Sequence, residues 1–269
     1  MKPDWQAIRA VVAKDWTAVR RAKAVVIPML VVPVLLLVVL PLVLGLFARR
    51  ASPPGASNVI HHLPSHFRHI LAGVPPRQQL LVLIDGYLLA PLFLIVPLMV
   101  ASVLAADALA GEKERRTLEG LLHLPISDRD LFYAKVMSAF VPAVAVSWIG
   151  FALFCVVANS VGWSLTHRVF LPTRLWAVVI FWVAPAVAAL GMGIMVRVSA
   201  RARSSQEANQ LGGAVVLPLI FLAVGQSSGL LLVTLPLAVA IGAGIWLVAL
   251  GLLARGAQLF TRDRVASTI

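Results

Sequence analysis

The sequence predicts an all-α membrane protein. It has six membrane-spanning helices, an amphipathic helix at the N-terminus and a further helical element in the loop between spans two and three. Three observations carry this reading. Of 269 residues, 60% are hydrophobic and only 13% charged, and the mean hydropathy is +0.93, which is unlike a soluble domain. The apolar residues gather in long runs at 24–47, 80–106, 133–160, 174–197, 211–226 and 229–254, and a spanning helix needs about 20 such residues. The charges collect between the runs, most densely in residues 107–135, DALAGEKERRTLEGLLHLPISDRDLFYAK.

The first element is residues 1–23. Trp5, Ile8, Val12, Trp16 and Val19 recur at helical spacing, and Lys2, Arg9, Lys14, Arg20 and Arg21 supply charge. That pattern describes a helix lying on the cytoplasmic membrane surface with its aromatics at headgroup depth. It is not expected to be a cleaved signal, because the apolar run that begins near Ala24 is far longer than a signal core and has no small-residue cleavage site.

The spans follow. The fifth run is short and ends at Gly225-Gln226-Ser227-Ser228-Gly229, a turn signal. The last two runs therefore read as a tight hairpin of two spans, or the fifth as a partly re-entrant segment. Lys and Arg set the orientation. With both termini in the cytoplasm, only Arg49, Arg50, Arg68, Arg77, Arg168 and Arg174 fall outside. Prolines interrupt nearly every run: Pro28, Pro33, Pro41, Pro91, Pro97, Pro142, Pro185, Pro218 and Pro236. They bend helices and free carbonyls. Gly191-Met192-Gly193, Gly212-Gly213 and Gly242-Ala243-Gly244 permit close helix contact.

Composition also excludes functions. The net charge of +12 lies between apolar runs and forms no basic stripe with interleaved aromatics, so no nucleic-acid partner is expected. Cys155 is the single cysteine, which rules out an intrachain disulfide and a cysteine metal cluster. In the loop from Ala48 to Gln79, Ile60, Leu63, Phe67, Ile70, Leu71 and Val74 form an apolar stripe of a second amphipathic helix. His61, His62, His66, Arg68 and His69 fall mostly on its other face. His62, His66 and His69 have a spacing able to hold a metal. No acid or cysteine accompanies them, so no metal site is assigned.

Two places remain as candidate functional residues. Asp85 sits early in the second run, about 8 Å of helix rise from its outer end. A carboxylate in a membrane span usually faces a cavity or a partner. It is a candidate for the translocation path, or else an interfacial residue bonded locally or paired with Arg77 or an outer-loop arginine. The second place is the charged island. Asp107 ends the second run, Gly111 allows a break, and Glu112 to Arg116 form a polar turn. Leu118, Leu121, Leu122 and Pro125 make a short apolar stripe with a proline stop. Ser127 to Asp130 fits a capping box that starts the next helix. An element with one greasy edge and one charged edge suits docking into a groove on another protein.

Gly111 to Ser127, GEKERRTLEGLLHLPIS, resembles the coupling-helix signature of ABC-2 type export permeases, roughly Gly-Glu-Lys-Glu-x-Gly-Thr-Leu-Glu-x-Leu-Leu-x-x-Pro-Ile/Val-Ser. Asp107 before it and Lys135 after it also match, as do the N-terminal helix, the six-span layout and Pro218. Arg116 departs, standing where the family often has Gly. The resemblance implies the transmembrane subunit of an exporter in the plasma membrane, most often bacterial. Two such subunits, identical or different, pair and sit on separate ATP-binding subunits that hold ATP and Mg. The region 108–131 would transmit ATP-driven closure. Gly111, Glu112, Glu114, Arg116, Thr117, Glu119, Leu121, Leu122 and Pro125 would then lie at or near the ATPase contact. The chain has no G-x-x-x-x-G-K-[ST], so hydrolysis belongs to another polypeptide and no catalytic residue is assigned here. The alternatives are a membrane enzyme built on Asp107, Glu112, Glu114 and Glu119, and a membrane scaffold without transport. The first lacks H-E-x-x-H and G-x-S-x-G, and its carboxylates are interleaved with Lys113, Arg115 and Arg116. The motif is specific to the superfamily and not to a cargo.

Overall fold

The computed structural model describes residues 4–50, 71, 73–111, 126–201, 204–212, 216–227 and 234–259, and every regular element among them is helical. Five helices are long and apolar enough to cross a membrane. In chain order the elements are α1 (Trp5–Arg21), α2 (Val26–Phe47), α3 (Gln78–Ala106), α4 (Asp128–Thr166), α5 (Arg174–Ser199), α6 (Ser205–Gly212), α7 (Leu217–Ser227) and α8 (Leu235–Gln258). The five spans are α2, α3, α4, α5 and α8. Five of the six expected runs are thus found as long helices. The expected span at 211–226 is represented by α7, whose 11 residues rise only about 16 Å. The described residues of α7 are by themselves shorter than a spanning helix, and residues 213–215 and 228–233 on either side of it lie outside the described set.

α3 and α5 form the centre of the bundle. Their apolar stretches are 67% and 72% buried, against 22% for α2 and 17% for α8. The periphery instead exposes large apolar side chains such as Ile27, Phe47, Ile149, Val156 and Leu247, as lipid-facing helices must. Between them, α5 is packed on two sides. A Cβ at Gly191 would stand 2.8 Å from Leu98 of α3, and one at Gly193 would stand 2.9 Å from Leu252 of α8. The glycines let three backbones approach without a side chain between them.

Three of the spans contain a π-helical turn just before a proline: Leu35–Val39 before Pro41, Ile84–Leu88 before Pro91 and Val179–Val183 before Pro185. A proline has no N–H and its ring crowds the carbonyl four residues back, so the ladder loosens into wider turns. α4 is different. It runs for 39 residues with Pro142 inside it and is assigned as α-helix throughout. That is about 58 Å of rise, well beyond the ~30 Å apolar core of a bilayer. Its described length is longer at both ends than the apolar run 133–160.

The start of α4 follows the sequence closely. Ser127 is extended, and its Oγ accepts from the Asp130 N–H at 3.1 Å while donating to Asp130 Oδ2 at 2.8 Å. At the far end, Asn159 ties α4 to the following loop. Its Oδ1 accepts from the N–H groups of Phe170 and Leu171, and its Nδ2 donates to the carbonyls of Leu171 and Cys155. Gln78 Nε2 donates to the Leu165 carbonyl at 2.8 Å, joining the start of α3 to the end of α4.

Candidate functional site

The segment assigned by sequence lies between α3 and α4. Most of that segment, residues 112–125, lies outside the described residues. So do eight of the residues assigned by sequence: Glu112, Glu114, Arg116, Thr117, Glu119, Leu121, Leu122 and Pro125. Its two edges are described. On the α3 side, Asp107–Gly111 forms a fourth π turn, and Asp107 is buried. A Cβ at Gly111 would fall 2.8 Å from Asp107 Oδ1. Glycine here therefore leaves room for the carboxylate to lie along its own turn.

On the α4 side, Ile126, Leu131 and Ala134 are buried together with Ile8 and Val11 of α1. Ile8, Val11 and Asp15 fall on one stripe of α1 and are all buried. The sequence reading placed α1 on a membrane surface and did not anticipate this packing on α4. At the end of the stripe, Lys135 Nζ donates to both Asp15 oxygens at 3.0 Å. The pair is a salt bridge with side chains only 5% and 8% exposed. Two charges removed from water in this way are held by each other, and losing either leaves the other stranded. The α4 side of segment 112–125 is thus fastened to α1.

Sequence reasoning passed over Asp15, although a signal was present. It is an acid in a basic helix, and it falls on the stripe of Ile8 and Val11 rather than among Arg9, Lys14 and Arg20. Lys135 was noted only as part of a motif, because no sequence spacing joins two residues 120 apart.

Asp85 lies elsewhere. It occupies the π turn Ile84–Leu88 within α3 and is 1% exposed. Neither carboxylate oxygen has a hydrogen-bond partner among the described residues. The side chain of Arg77, one of the partners expected from sequence, is outside the described set. What holds Asp85 is its backbone. Its carbonyl accepts a 3.0 Å hydrogen bond from Trp176 Nε1 on α5.

Trp176 is fully buried and stands in an aromatic knot. Its ring centroid is 5.5 Å from Phe93 of α3, and 5.3 Å and 4.9 Å from Phe151 and Phe154 of α4. Three central helices therefore meet beside the carboxylate. Sequence reasoning also missed Trp176, since an aromatic in an apolar run carries no sign of its partner.

The outer-loop histidines His61, His62, His66 and His69 lie outside the described residues. Among the described residues no cluster of His, Cys, Asp and Glu has the arrangement of a metal site.

The geometry is that of a multi-pass membrane bundle with α1 fastened to the start of α4 at one end and a buried acid in its core. No curated protein and no solved structure matches the chain. A family model described as ABC-2 family transporter protein does match, over residues 9–236. That stretch includes Asp15, Asp85, Lys135 and the whole of 107–135, and with it the chain belongs to the ABC-2 family of transporter proteins.

Proposed function

We propose that this chain is the permease subunit of an ATP-driven ABC exporter, with six spans and both termini in the cytoplasm of the plasma membrane. A separate ATP-binding subunit supplies ATP and Mg, and a second permease subunit, identical or different, completes the pathway. The observation that carries the reading is the bracing of the α4 edge of this loop against α1. The motif-bearing segment 112–125 is bounded by the Asp107–Gly111 turn and by the Ile126–Ser127 entry to α4. Asp107, Ala110 and Gly111 are buried at the first edge and Ile126 at the second, and the second is clamped to α1.

In this reading residues 112–125 form the coupling helix. Glu112, Glu114 and Arg116 supply charge to the ATPase groove, Leu121 and Leu122 an apolar edge, and Pro125 the stop. A push on this segment enters α4 at a capped, clamped helix start. A continuous 39-residue helix passes it on along its whole length. The softer π turns before Pro41, Pro91 and Pro185 let neighbouring helices change shape. Asp85 is assigned to the translocation path, where its carboxylate, without a hydrogen-bond partner among the described residues, would meet cargo or a counter-charge. A buried charge of this kind in a span is costly, by about 2.5–3.5 kcal/mol at mid-bilayer, and is retained where it has a task.

The test uses the complete transporter in proteoliposomes. The chain should copurify with a P-loop ATPase. Charge reversal by Glu112→Lys together with Glu114→Lys should leave basal ATPase activity in place and remove its coupling to transport. Normal coupling in the double variant, or turnover of a lipid by the purified chain without ATP, would overturn the proposal.

A further inference from the structure

The stripe of α1 beside the clamp is uncovered among the described residues, and it has a chemical character of its own. Trp5 and Arg9, then two turns on Trp16 and Arg20, lie along it, all exposed. Together with Met137 and Val141 of α4 they line a groove of about 640 Å³. The Arg20 guanidinium stands 5.4 Å from the centre of the Trp16 ring. No acid lines the groove, because Asp15 is turned the other way and is held by Lys135. Neither arginine forms an ion pair with a described residue.

The groove thus has a cationic, aromatic wall from α1 and an apolar floor from a helix that spans the membrane. The floor continues into the exposed apolar face of α4, where Trp148, Ile149 and Val156 follow Val141. We infer that this groove is a binding site for one anionic phospholipid. Arg9 and Arg20 would meet its phosphate, Trp5 and Trp16 would flank the headgroup and glycerol region, and an acyl chain would run along Met137 and Val141. The charge sign selects an anion. The contiguous lipid-facing strip selects a ligand that carries a chain, since a free phosphate would leave the floor unused. Tryptophans with one polar edge suit this depth, and arginine binds phosphate oxygens in pairs. The lipid would wedge between α1 and α4 beside the Asp15–Lys135 pair, and so fill out the brace that flanks segment 112–125.

The experiment places the full-length chain in nanodiscs of phosphatidylcholine with phosphatidylglycerol and counts the phosphatidylglycerol retained on release, by native mass spectrometry. Wild-type protein should retain phosphatidylglycerol over phosphatidylcholine. Retention should fall about 5-fold for Arg9→Gln or Arg20→Gln and about 30-fold for both together. Met137→Trp, which fills the floor and leaves both arginines in place, should also reduce it. Arg49→Gln with Arg50→Gln, at the other end of α2, should leave it unchanged. Equal retention by the Arg9/Arg20 double variant would overturn the inference. So would an equal loss in the Arg49/Arg50 control, or loss of ATPase copurification with phosphatidylglycerol retention intact. The last result would make the groove a protein-docking face.

Discussion

Asp15 and Asp85 are both buried carboxylates, and they are held in opposite ways. Asp15 faces an ammonium group with both oxygens, each at 3.0 Å. Asp85 has no partner for either oxygen among the described residues, while its backbone carbonyl is pinned by Trp176. In the first case the side chain does the holding. In the second the backbone is held so that the side chain stays available. Burial by itself does not separate a structural acid from a functional one. The disposition of its oxygens bears on the difference: at the α1 end Asp15 closes a clamp, and early in α3 Asp85 is the proposed site. The comparison can be broken or sharpened by substitution at each place.

The largest effect is expected at the clamp. Lys135→Ala strands the Asp15 carboxylate against Ile8, Val11 and α4, and should cost about 3–5 kcal/mol of stability. Replacing the pair by Asp15→Leu with Lys135→Met should recover most of that loss, since a buried pair and an apolar pair of similar volume are often close in energy. Thermal unfolding in detergent micelles measures both. A double variant as unstable as the single one would mean that the two residues are not coupled, and the contrast with Asp85 would lose its first half.

Much of this molecule was legible in the sequence, and the illegible part has a common cause. Spans and caps are local. Apolar runs located α2, α3, α4, α5 and α8, and Ser127 with Asp130 fixed the start of α4. The ends of α4 were not local. The apolar run stops at 160, yet Asn159 spends its amide on the loop at Phe170 and Leu171, and the helix continues to Thr166. The fifth run is short in sequence, and its described part is the 11 residues of α7. Asp85 stood out because a carboxylate in an apolar run is rare. Its tie to Trp176, 91 residues away, and the Asp15–Lys135 pair depend on which helices are neighbours. One-dimensional spacing does not carry that information. The assigned contact residues in 112–125 were legible as a motif, while their geometry lies outside the described residues.

A smaller loss is expected from Trp176→Phe. It removes the indole that donates to the Asp85 carbonyl and trims the knot with Phe93, Phe151 and Phe154. Together these should cost about 2 kcal/mol, from a lost hydrogen bond to a buried carbonyl and a small void in the packing. The change should lower transport as well, by letting the π turn shift the carboxylate, while lipid retention beside the clamp stays as in wild type. An unchanged transport rate at full ATPase coupling would show that the Asp85 carboxylate does not depend on the position of its backbone.

The smallest effect on stability is expected at Asp85 itself, and it carries the most meaning. Asp85→Asn keeps the shape, the backbone bond from Trp176 and the helix. It replaces a group that is expensive to desolvate with one that is less so. Stability should stay level or rise by about 1 kcal/mol, whereas Asp15→Asn should lose stability because Lys135 would then be left uncompensated. Transport should fall sharply in Asp85→Asn and far less in Asp85→Glu, which restores the charge one methylene further out. A structural acid behaves in the reverse order, since the neutral isostere destabilises it and function follows stability down. If Asp85→Asn proves as unstable as Asp15→Asn, then Asp85 also has a counter-charge in the folded protein, with Arg77 the first candidate. The two carboxylates would then be of one kind. If stability holds while transport fails, the free oxygens of Asp85 are what the bundle is built to present.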